Sequence, residues 1–576
     1  MSTVPPLARS WRAGGAGVAP EAVARLVREL RLPEPLCRLL VSRGHDRPDL
    51  ARAFLRPSLS DLHEPSRLAG VAAAVARLEQ AIDRRETILV HGDYDVDGIC
   101  AAALYTRALR RLGASVVPFV PHRVRDGYDL GRAGLRRAVE ADARLILTAD
   151  CGIVAHDAVA AAAQAGVDVV VTDHHVPAPL LPPAVAVVNP KRADCDYPNG
   201  VLSGAGVAYK VSLALARARG VSDDEVHYLL DLVALATVAD VMPLRGENRV
   251  MTRFGLRLLR ESRWPGLRAL LVSAGLGDGP LTAGHLSHWL APRLNAVGRL
   301  EDADTGLQLL LSDGTEAGAL AAELEETNAR RQAVDGEILD QALTMLGGWY
   351  DPTRDRAIVL TGEGWHPGVI GIVASRLVER YHRPTVLIAC PPGGAVARGS
   401  ARSIPGFDLL AAVRSCGSHL ERFGGHAAAA GFDVRVEAIE AFSAAFADHA
   451  RTLLPQEPVP DLRIDLEIRL DEVTPELVRY LAYAGPFGPG NPTPVFAIRG
   501  LTVDSATAVG RDRQHLRLRV RDGDRTLGAI GFGMTPTHGA QARPGAVVDM
   551  AAQLQEDEWR GQKRIQAKLV DLRSAG

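Results

Sequence analysis

Apolar and polar positions along this chain change period repeatedly, and each change marks an element. From Val71 a helical repeat alternates with short β-branched runs. The pattern predicts helix Val71 to Ile82, strand 87–90, helix 99–112, strand Val116 to Val120, helix 132–141 and strand Leu145 to Thr148. Helix 156–164 follows, then strands Val167 to Thr172 and Val185 to Val188. Such alternation predicts a parallel sheet with helices on both faces. Upstream, helix-like stretches at Val23 to Leu30 and Leu50 to Leu55 are broken by Pro33, Pro35, Pro57 and Pro65, which reads as a small helical lead-in over residues 1–70.

Downstream the pattern changes three times. Leu230 to Val238 is apolar all round, as a buried helix is, and a long charged helix from about Thr315 to Leu346 reads as a connector. A second α/β unit follows: strand Ala357 to Leu360, a helix to Tyr381, strand Thr385 to Ala389, the segments RGSARSIPGFDL (398–409) and FGGHAAAAGF (423–432), and a helix to His449. After Pro455 short alternating strands at Leu462 to Leu470, Val495 to Val503, His515 to Val520, Leu527 to Phe532 and Ala546 to Leu554 predict a small barrel. The expected fold class is α/β: one α/β domain over 71–280, a helical connector over 281–346, a second α/β domain over 347–455 and a β-barrel over 456–576.

Composition narrows the function classes. The 576 residues are 47% apolar and 23% charged, enough for several cores, and the net charge of −2 confines any polyanion-binding surface to a local patch. Six cysteines without CxxC spacing argue against zinc and a disulfide framework, which points to reduced thiols in the cytoplasm. With no apolar leader and no run near the ~20 apolar residues of a membrane span, the expectation is a soluble, cytoplasmic protein without a membrane partner.

Candidate chemistry gathers where the predicted strands end. Strand 87–90 runs into HGDYDVDG (91–98), with Asp93, Asp95 and Asp97 at alternate positions that would converge in extended backbone. Carboxylates that close favour a cation among them, although an acidic turn capping a helix at Ile99 would use the same residues. An EF-hand is excluded, because the loop's twelfth position is Leu104 rather than a carboxylate. Strand 145–148 ends at Asp150-Cys151-Gly152 and strand 167–172 at Asp173-His174-His175. Ligands of open α/β sheets collect at strand carboxyl ends, and three successive ends rich in Asp and His point to a metal site. Asp240, closing the apolar helix, is either a further ligand or a local cap.

Other stretches allow two readings each. Arg249, Arg253, Arg257 and Arg260 would line one helix face, to track phosphates or simply to face water. Arg293 suits a phosphate or a structural salt bridge. Arg398, Ser400 and Arg402 are phosphate-type donors beside the Gly-rich GGH at 424–426, which would alternatively be a tight turn. In the predicted strand His515 to Val520, Arg517, Arg519 and Arg521 would form a basic outer stripe for a nucleic-acid backbone or a solubilising face.

Nine motifs carry a resemblance over nearly the whole chain from about residue 40: HGDYDVDG (91–98), PHRVRDGYDL (121–130), TADCGI (148–153), VTDHH (171–175), VADVMPL (238–244), APRLNAVGR (291–299), RGSARS (398–403), FGGHAAAAG (423–431) and GPFGPGNPTPVF (485–496). In this order they resemble the RecJ family of single-strand-specific 5′→3′ exonucleases in the DHH phosphoesterase superfamily. The departure is Asp129, where that family usually has Gly.

The resemblance implies a DHH catalytic domain, a DHH-associated domain and a C-terminal OB fold. It implies a centre of two Mn²⁺ or Mg²⁺ ions on His91, Asp95, Asp97, Asp150, His174 and Asp240, with Asp150 bridging, and with His91 and Asp93 competing for the outer place. His175 would face the scissile phosphate. Arg293, Ser400 and Arg402 resemble a 5′-phosphate pocket, Arg123 and Tyr128 a substrate loop, and His426 a contact from the associated domain. Carboxylate oxygens with imidazole suit these hard cations, and two ions can clamp an in-line displacement. The implied activity is hydrolysis of single-stranded DNA to 5′-mononucleotides in repair and recombination, with duplex excluded by a narrow passage between the two α/β domains. Implied partners are single-strand-binding protein and a RecQ-type helicase. The rivals are a DHH phosphodiesterase for short oligoribonucleotides or cyclic dinucleotides and a non-catalytic single-strand-binding scaffold.

Overall fold

Alternate residues of the β-branched runs enter two different cores. Ile88, Val90, Leu145, Leu147 and Val170 join one, while Leu89, Ile146, Val169 and Val171 join the other. A sheet buried on both faces requires this. In the computed structural model, which describes residues 9–14, 17–123, 125–127, 129–559 and 562–575, the strands are β1 (Thr87–Gly92), β2 (Ser115–Phe119), β3 (Ala143–Ala149), β4 (Asp168–Thr172) and β5 (Ala186–Val188). They lie in the order β2-β1-β3-β4-β5, all parallel. Helices α1 (Val71–Asp83), α2 (Val96–Arg111), α3 (Arg132–Glu140), α4 (His156–Gln164), α5 (Gly204–Ala218), α6 (Leu230–Ala239) and α7 (Gly246–Arg260) follow in chain order. Residues of α1, α2, α5 and α6 fill the first core and those of α3 and α4 the second. The chain leaves β1 for β2 on one side and returns to β3 on the other, so a crevice opens between the carboxyl ends of β1 and β3. This is the topological switch point of such a sheet.

The chain divides into two compact units. One comprises Asp49–Ala329 with Leu481–Thr493 and contains the parallel sheet and α8 (Ala291–Leu300). The other comprises the residues up to Pro48, Arg330–Tyr480 and those from Pro494 on. Helix α9 (Ala317–Gly347) begins in the first and ends in the second.

Within the second unit, β6 (Ile358–Glu363), α10 (Ile370–Tyr381), β7 (Thr385–Cys390), β8 (Val396–Arg402), β9 (Leu420–His426), β10 (Ala429–Arg435) and α11 (Ile439–Leu453) form a mixed sheet ordered β9-β10-β8-β7-β6. Five further strands, β11 (Phe496–Val509), β12 (His515–Asp522), β13 (Arg525–Gly531), β14 (Val547–Trp559) and β15 (Gln562–Ser574), close on themselves because β11 pairs with both β12 and β14. In β12, Leu516, Leu518 and Val520 are buried while Arg517, Arg519 and Arg521 are exposed.

Three expectations need correction. The first residues are more than a helical lead-in: Ser10–Ala13 is a strand pairing in parallel with Asp461–Ile464, and Trp11 Nε1 donates to Asp571 at 2.7 Å. The strand expected at Leu462 to Leu470 breaks at Asp465, a buried carboxylate that accepts the Val495 N–H, and the barrel closes instead with β15. The arginine stripe is not one uniform face: Arg257 and Arg260 are exposed, but Arg249 is buried and donates to the carbonyls of Phe54, Tyr483, Ala484 and Gly485. Among the described residues no helix is long and apolar enough to cross a membrane.

Candidate metal centre

The HGDYDVDG aspartates converge, though not by strand alternation. Helix α2 begins at Val96, three residues before the expected Ile99, so Asp95 is its N-cap and Asp97 lies in its first turn. Asp95 Oδ1 accepts the N–H groups of Asp97 and Gly98 at 2.9 and 3.1 Å. The capping role weighed against metal binding is therefore real, but it occupies one oxygen only. Asp97 accepts the first N–H groups of α5, from Gly204 and Ala205, at 2.7 Å each. A helix N-terminus with orphan donors and a positive dipole end stabilises that buried carboxylate.

The other strand ends turn inward to meet it. Asp150 follows β3 in left-handed backbone, φ 69°, a conformation that costs a non-glycine residue about 1–3 kcal/mol and clusters at functional sites. Gly204 allows the approach of α5, since a Cβ there would stand 2.4 Å from the Asp150 Cβ. From β4, His174 Nε2 lies 3.1 Å from Asp150 Oδ1, 3.5 Å from Asp240 Oδ2 and 3.8 Å from Asp97 Oδ2. Asp240 is the C-cap of α6. Three groups bring potential ligand atoms within 4.8 Å of one another: Asp97, His174 and Asp240; Asp93, Asp95 and Asp150; and Asp150, His174 and His175. Asp150 belongs to two of them.

Electrostatics shows the cost of this gathering without a cation. Burial, then the neighbouring charges of Asp240 and Asp95, raises Asp97 well above the usual carboxylate range, against hydrogen bonds from Ala205 and Gly204. Burial, then Asp97 and Asp95, does the same to Asp150, and burial, then Asp95, to Asp93. Burial and Asp95 push Asp240 up to about 7, with His175 and Lys191 opposing. Buried Asp93 Oδ1, Asp150 Oδ1, His174 Nε2 and Asp240 Oδ2 have no hydrogen-bond partner among the described residues. Buried polar atoms without partners are rare and costly. A hard divalent cation fits this donor set, satisfying the orphan atoms and keeping the carboxylates ionised.

Asp173, noted at a strand end, is given no role by the sequence reading. Buried at the end of β4, it accepts the N–H groups of His174 (2.6 Å), His175 (3.0 Å) and Ile153 (3.0 Å), and its Oδ1 lies 2.8 Å from His175 Nδ1. Burial lowers His175, but the hydrogen bond and charge of Asp173 outweigh it and push the imidazole to about 9. The signal was an acid directly before the two histidines. Asp129 has φ 76°, a region that favours glycine, and its carboxylate accepts the Gly152 N–H at 2.6 Å, tying its own loop to the Asp150 loop. Short polar side chains tolerate this conformation by such local bonds.

The remaining predicted residues have varied surroundings. His91, in β1, is fully buried against Phe119 and Cys151, and burial pushes it down to about 4. It lies in none of the three groups, whereas Asp93 does. The exposed Arg123 guanidinium stands over the Tyr94 ring at 5.0 Å, and Tyr128 lies outside the described residues. Arg293 donates to Glu325 at 2.5 Å and to the Trp289 carbonyl, the salt-bridge alternative. In the second unit, Arg402 donates to Ser400 Oγ at 3.1 Å on β8, beside the N-terminal turn of α10, where a Cβ on Gly371 would meet both side chains. His426 ends β9, exposed.

Family models match three stretches: residues 87–237 the DHH family, N-terminal domain, residues 354–452 the DHHA1 domain and residues 464–571 the RecJ OB domain. The switch-point site and the second sheet are thus those of a DHH phosphoesterase carrying its associated domain, here followed by a barrel. The single-stranded-DNA-specific exonuclease RecJ of Bacillus subtilis is 35% identical over 553 residues, 96% of this chain and 69% of that protein. Crystal structures of Thermus thermophilus RecJ with Mn²⁺ and with Mg²⁺ match 98% of this chain and 80% and 79% of theirs, at TM-scores of 0.83 and 0.79 and identities of 34% and 32%. The chain belongs to the RecJ family.

Proposed function

We propose that this chain is a divalent-cation-dependent exonuclease that degrades single-stranded DNA from its 5′ end to 5′-mononucleotides. The observation that carries the reading is the set of buried, unpartnered carboxylate and imidazole atoms at the switch point of the parallel sheet. Asp97, His174 and Asp240 would hold one cation and Asp93, Asp95 and Asp150 the other, with Asp150 between them and His91 behind as an outer candidate. When bound, Mn²⁺ or Mg²⁺ supplies Lewis-acid neutralisation of charge on the phosphate and acidifies a water.

The protein's own groups do the positioning. The N-terminus of α5 fixes both oxygens of Asp97. Asp173 holds the His175 ring and favours its charged form, which suits a contact with the anionic phosphodiester. Ser400 and Arg402, with the N-terminus of α10, have the character of a terminal-phosphate site. A phosphate role for Arg293 would require it to give up Glu325. Arg123, Tyr128 and His426 are proposed substrate contacts. The exposed arginines of β12 suit a single-stranded backbone.

Single-strand-binding protein and a RecQ-type helicase are proposed partners, and the cytoplasm is the proposed site of action in DNA repair and recombination. Incubation with Mn²⁺ and single-stranded DNA labelled at either end tests the reading. Early release of a labelled mononucleotide from the 5′ end, with duplex resistant, is expected. Cleavage confined to di- and trinucleotides would favour the short-substrate phosphodiesterase, and binding without cleavage the scaffold.

A further inference from the structure

Residues 481–493 lie inside the sequence matched by the barrel model yet belong to the DHH unit. They form a strap with its own framework. Gly488 and Asn491 exchange backbone hydrogen bonds of 3.0 and 3.1 Å, and buried Asn491 Nδ2 donates to the carbonyls of Ala484 and Pro486 at 2.9 Å each. Arg249 clamps the carbonyls of residues 483–485, aided by Arg253 at Tyr483. So braced, the strap meets the loop directly after Asp240. The Pro489 carbonyl accepts the Leu244 N–H at 2.6 Å, and the Gly490 carbonyl accepts Arg245 Nε at 2.6 Å. Gly490 has φ 74°, and a Cβ there would stand 3.0 Å from Pro243 Cβ.

That loop needs an external hold. Helix α6 ends in a Schellman arrangement, with Val241 N–H to Val238 and Met242 N–H to Thr237 at 3.2 and 3.0 Å. The left-handed position of this motif usually carries glycine, but here it is Val241, φ 58°. A β-branched residue in this region is strained and persists only where its surroundings enforce it. Asp240 itself sits at the helix C-terminus, where the dipole disfavours an anion, with Oδ2 unpartnered among the described residues.

We propose that the strap over residues 485–491 is a positioning element for the cation site: by binding Leu244 and Arg245 and abutting Pro243, it holds the strained turn at Val241 and so keeps the Asp240 carboxylate near Asp97 and His174. The proposal rests on the reading of Asp240 as a cation ligand. It gives the GPFGPGN motif a task in the catalytic unit, although the motif lies in the barrel's sequence.

The test uses the full chain and Mn²⁺ alone, titrated calorimetrically, with thermal midpoints and single-strand binding in chelator measured alongside. Gly490→Ala should weaken Mn²⁺ binding at one site by about tenfold, the usual effect of disturbing a residue that orients a ligand. The Mn²⁺ concentration for half-maximal turnover should rise in parallel, with most of kcat recovered at saturating Mn²⁺ and DNA binding unchanged. Arg245→Ala, a surface change that leaves the fold intact, should shift the same quantities in the same direction by a smaller factor. Unaltered Mn²⁺ affinity in both variants overturns the proposal, as does a loss that saturating Mn²⁺ cannot rescue. Asp240→Asn is the reference: if it too leaves Mn²⁺ binding unaltered, the reading of Asp240 as a ligand fails instead.

Discussion

Replacing Gly204 by alanine pits two effects of opposite sign. At an unconstrained helical position the change stabilises by up to about 1 kcal/mol, because alanine loses less backbone freedom than glycine. At Gly204 the added carbon would lie 2.4 Å from the Asp150 Cβ and 2.5 Å from its Oδ1, whereas non-bonded carbons settle at about 3.5–4.0 Å. Something must move by roughly 1 Å. If α5 retreats, the 2.7 Å bonds from Gly204 and Ala205 to Asp97 stretch, and each hydrogen bond to a charged group is worth about 1.5–3 kcal/mol. If Asp150 yields, the two cation groups it joins come apart. Overpacking of about 1–3 kcal/mol and the weakened bonds outweigh the propensity gain, so a net destabilisation of about 2–4 kcal/mol is expected. Turnover should fall by about 10²-fold, the scale of a 1 Å misplacement. Urea unfolding and Mn²⁺-dependent release of 5′-labelled nucleotide from single-stranded DNA measure the two. Gly336→Ala, inside α9 with nothing within 4 Å of the added carbon, is the control and should stabilise by about 0.5–1 kcal/mol at unchanged turnover. Wild-type turnover and Mn²⁺ affinity in Gly204→Ala would refute the account of α5 as the clamp on both aspartates.

Asp150→Ala should abolish hydrolysis while leaving single-strand binding within a few-fold in a gel-shift assay; normal turnover would remove the two-cation assignment. Arg402→Ala should erase the preference for 5′-phosphorylated over 5′-hydroxyl ends in a competition digest, and a preserved preference excludes Arg402 from the pocket. Asp231, buried under Leu232 and Ser262, is pushed by burial to about 7. Its folded form therefore holds a proton that the unfolded chain releases near pH 4, so this residue makes stability fall as pH rises from about 4 to 7. Asp231→Asn lacks that slope, and its advantage over the wild type should grow across the window by up to about 4 kcal/mol and then level off. Parallel urea midpoints at pH 5 and 8 check it; an equal difference at both would refute the assignment.

Much of the site was legible because its chemistry sits at strand ends, and strand ends are readable from β-branched runs followed by Asp, His and Gly. Asp95, Asp97, Asp150 and His174 could be gathered into one hypothesis on that rule alone, whereas Asp240 closes a helix and stayed open between ligand and cap. The mechanism of convergence could not, because alternation along a strand and the first turn of a helix both bring Asp95 and Asp97 to one edge, and only the backbone path distinguishes them. Strand β15 escaped notice since its apolar set, Ile565, Ala567 and Leu569, slips by one at Val570 to Leu572, opposite a bulge at Ala551 and Ala552. Arg249 escaped because a stripe of arginines carries no mark of which one will be buried.

The local order of polar and apolar residues determined the helix–strand alternation, the burial of both sheet faces and the identity of the acids that end each strand. These follow from periodicity and need only neighbours in sequence. Tertiary structure decided which carboxylate oxygens remain unpartnered and that a strap from the barrel's sequence braces the turn after Asp240. Both depend on residues far apart in sequence, such as Asp97 and Gly204 or Arg245 and Gly490, meeting within hydrogen-bond distance, and no local pattern encodes such a meeting.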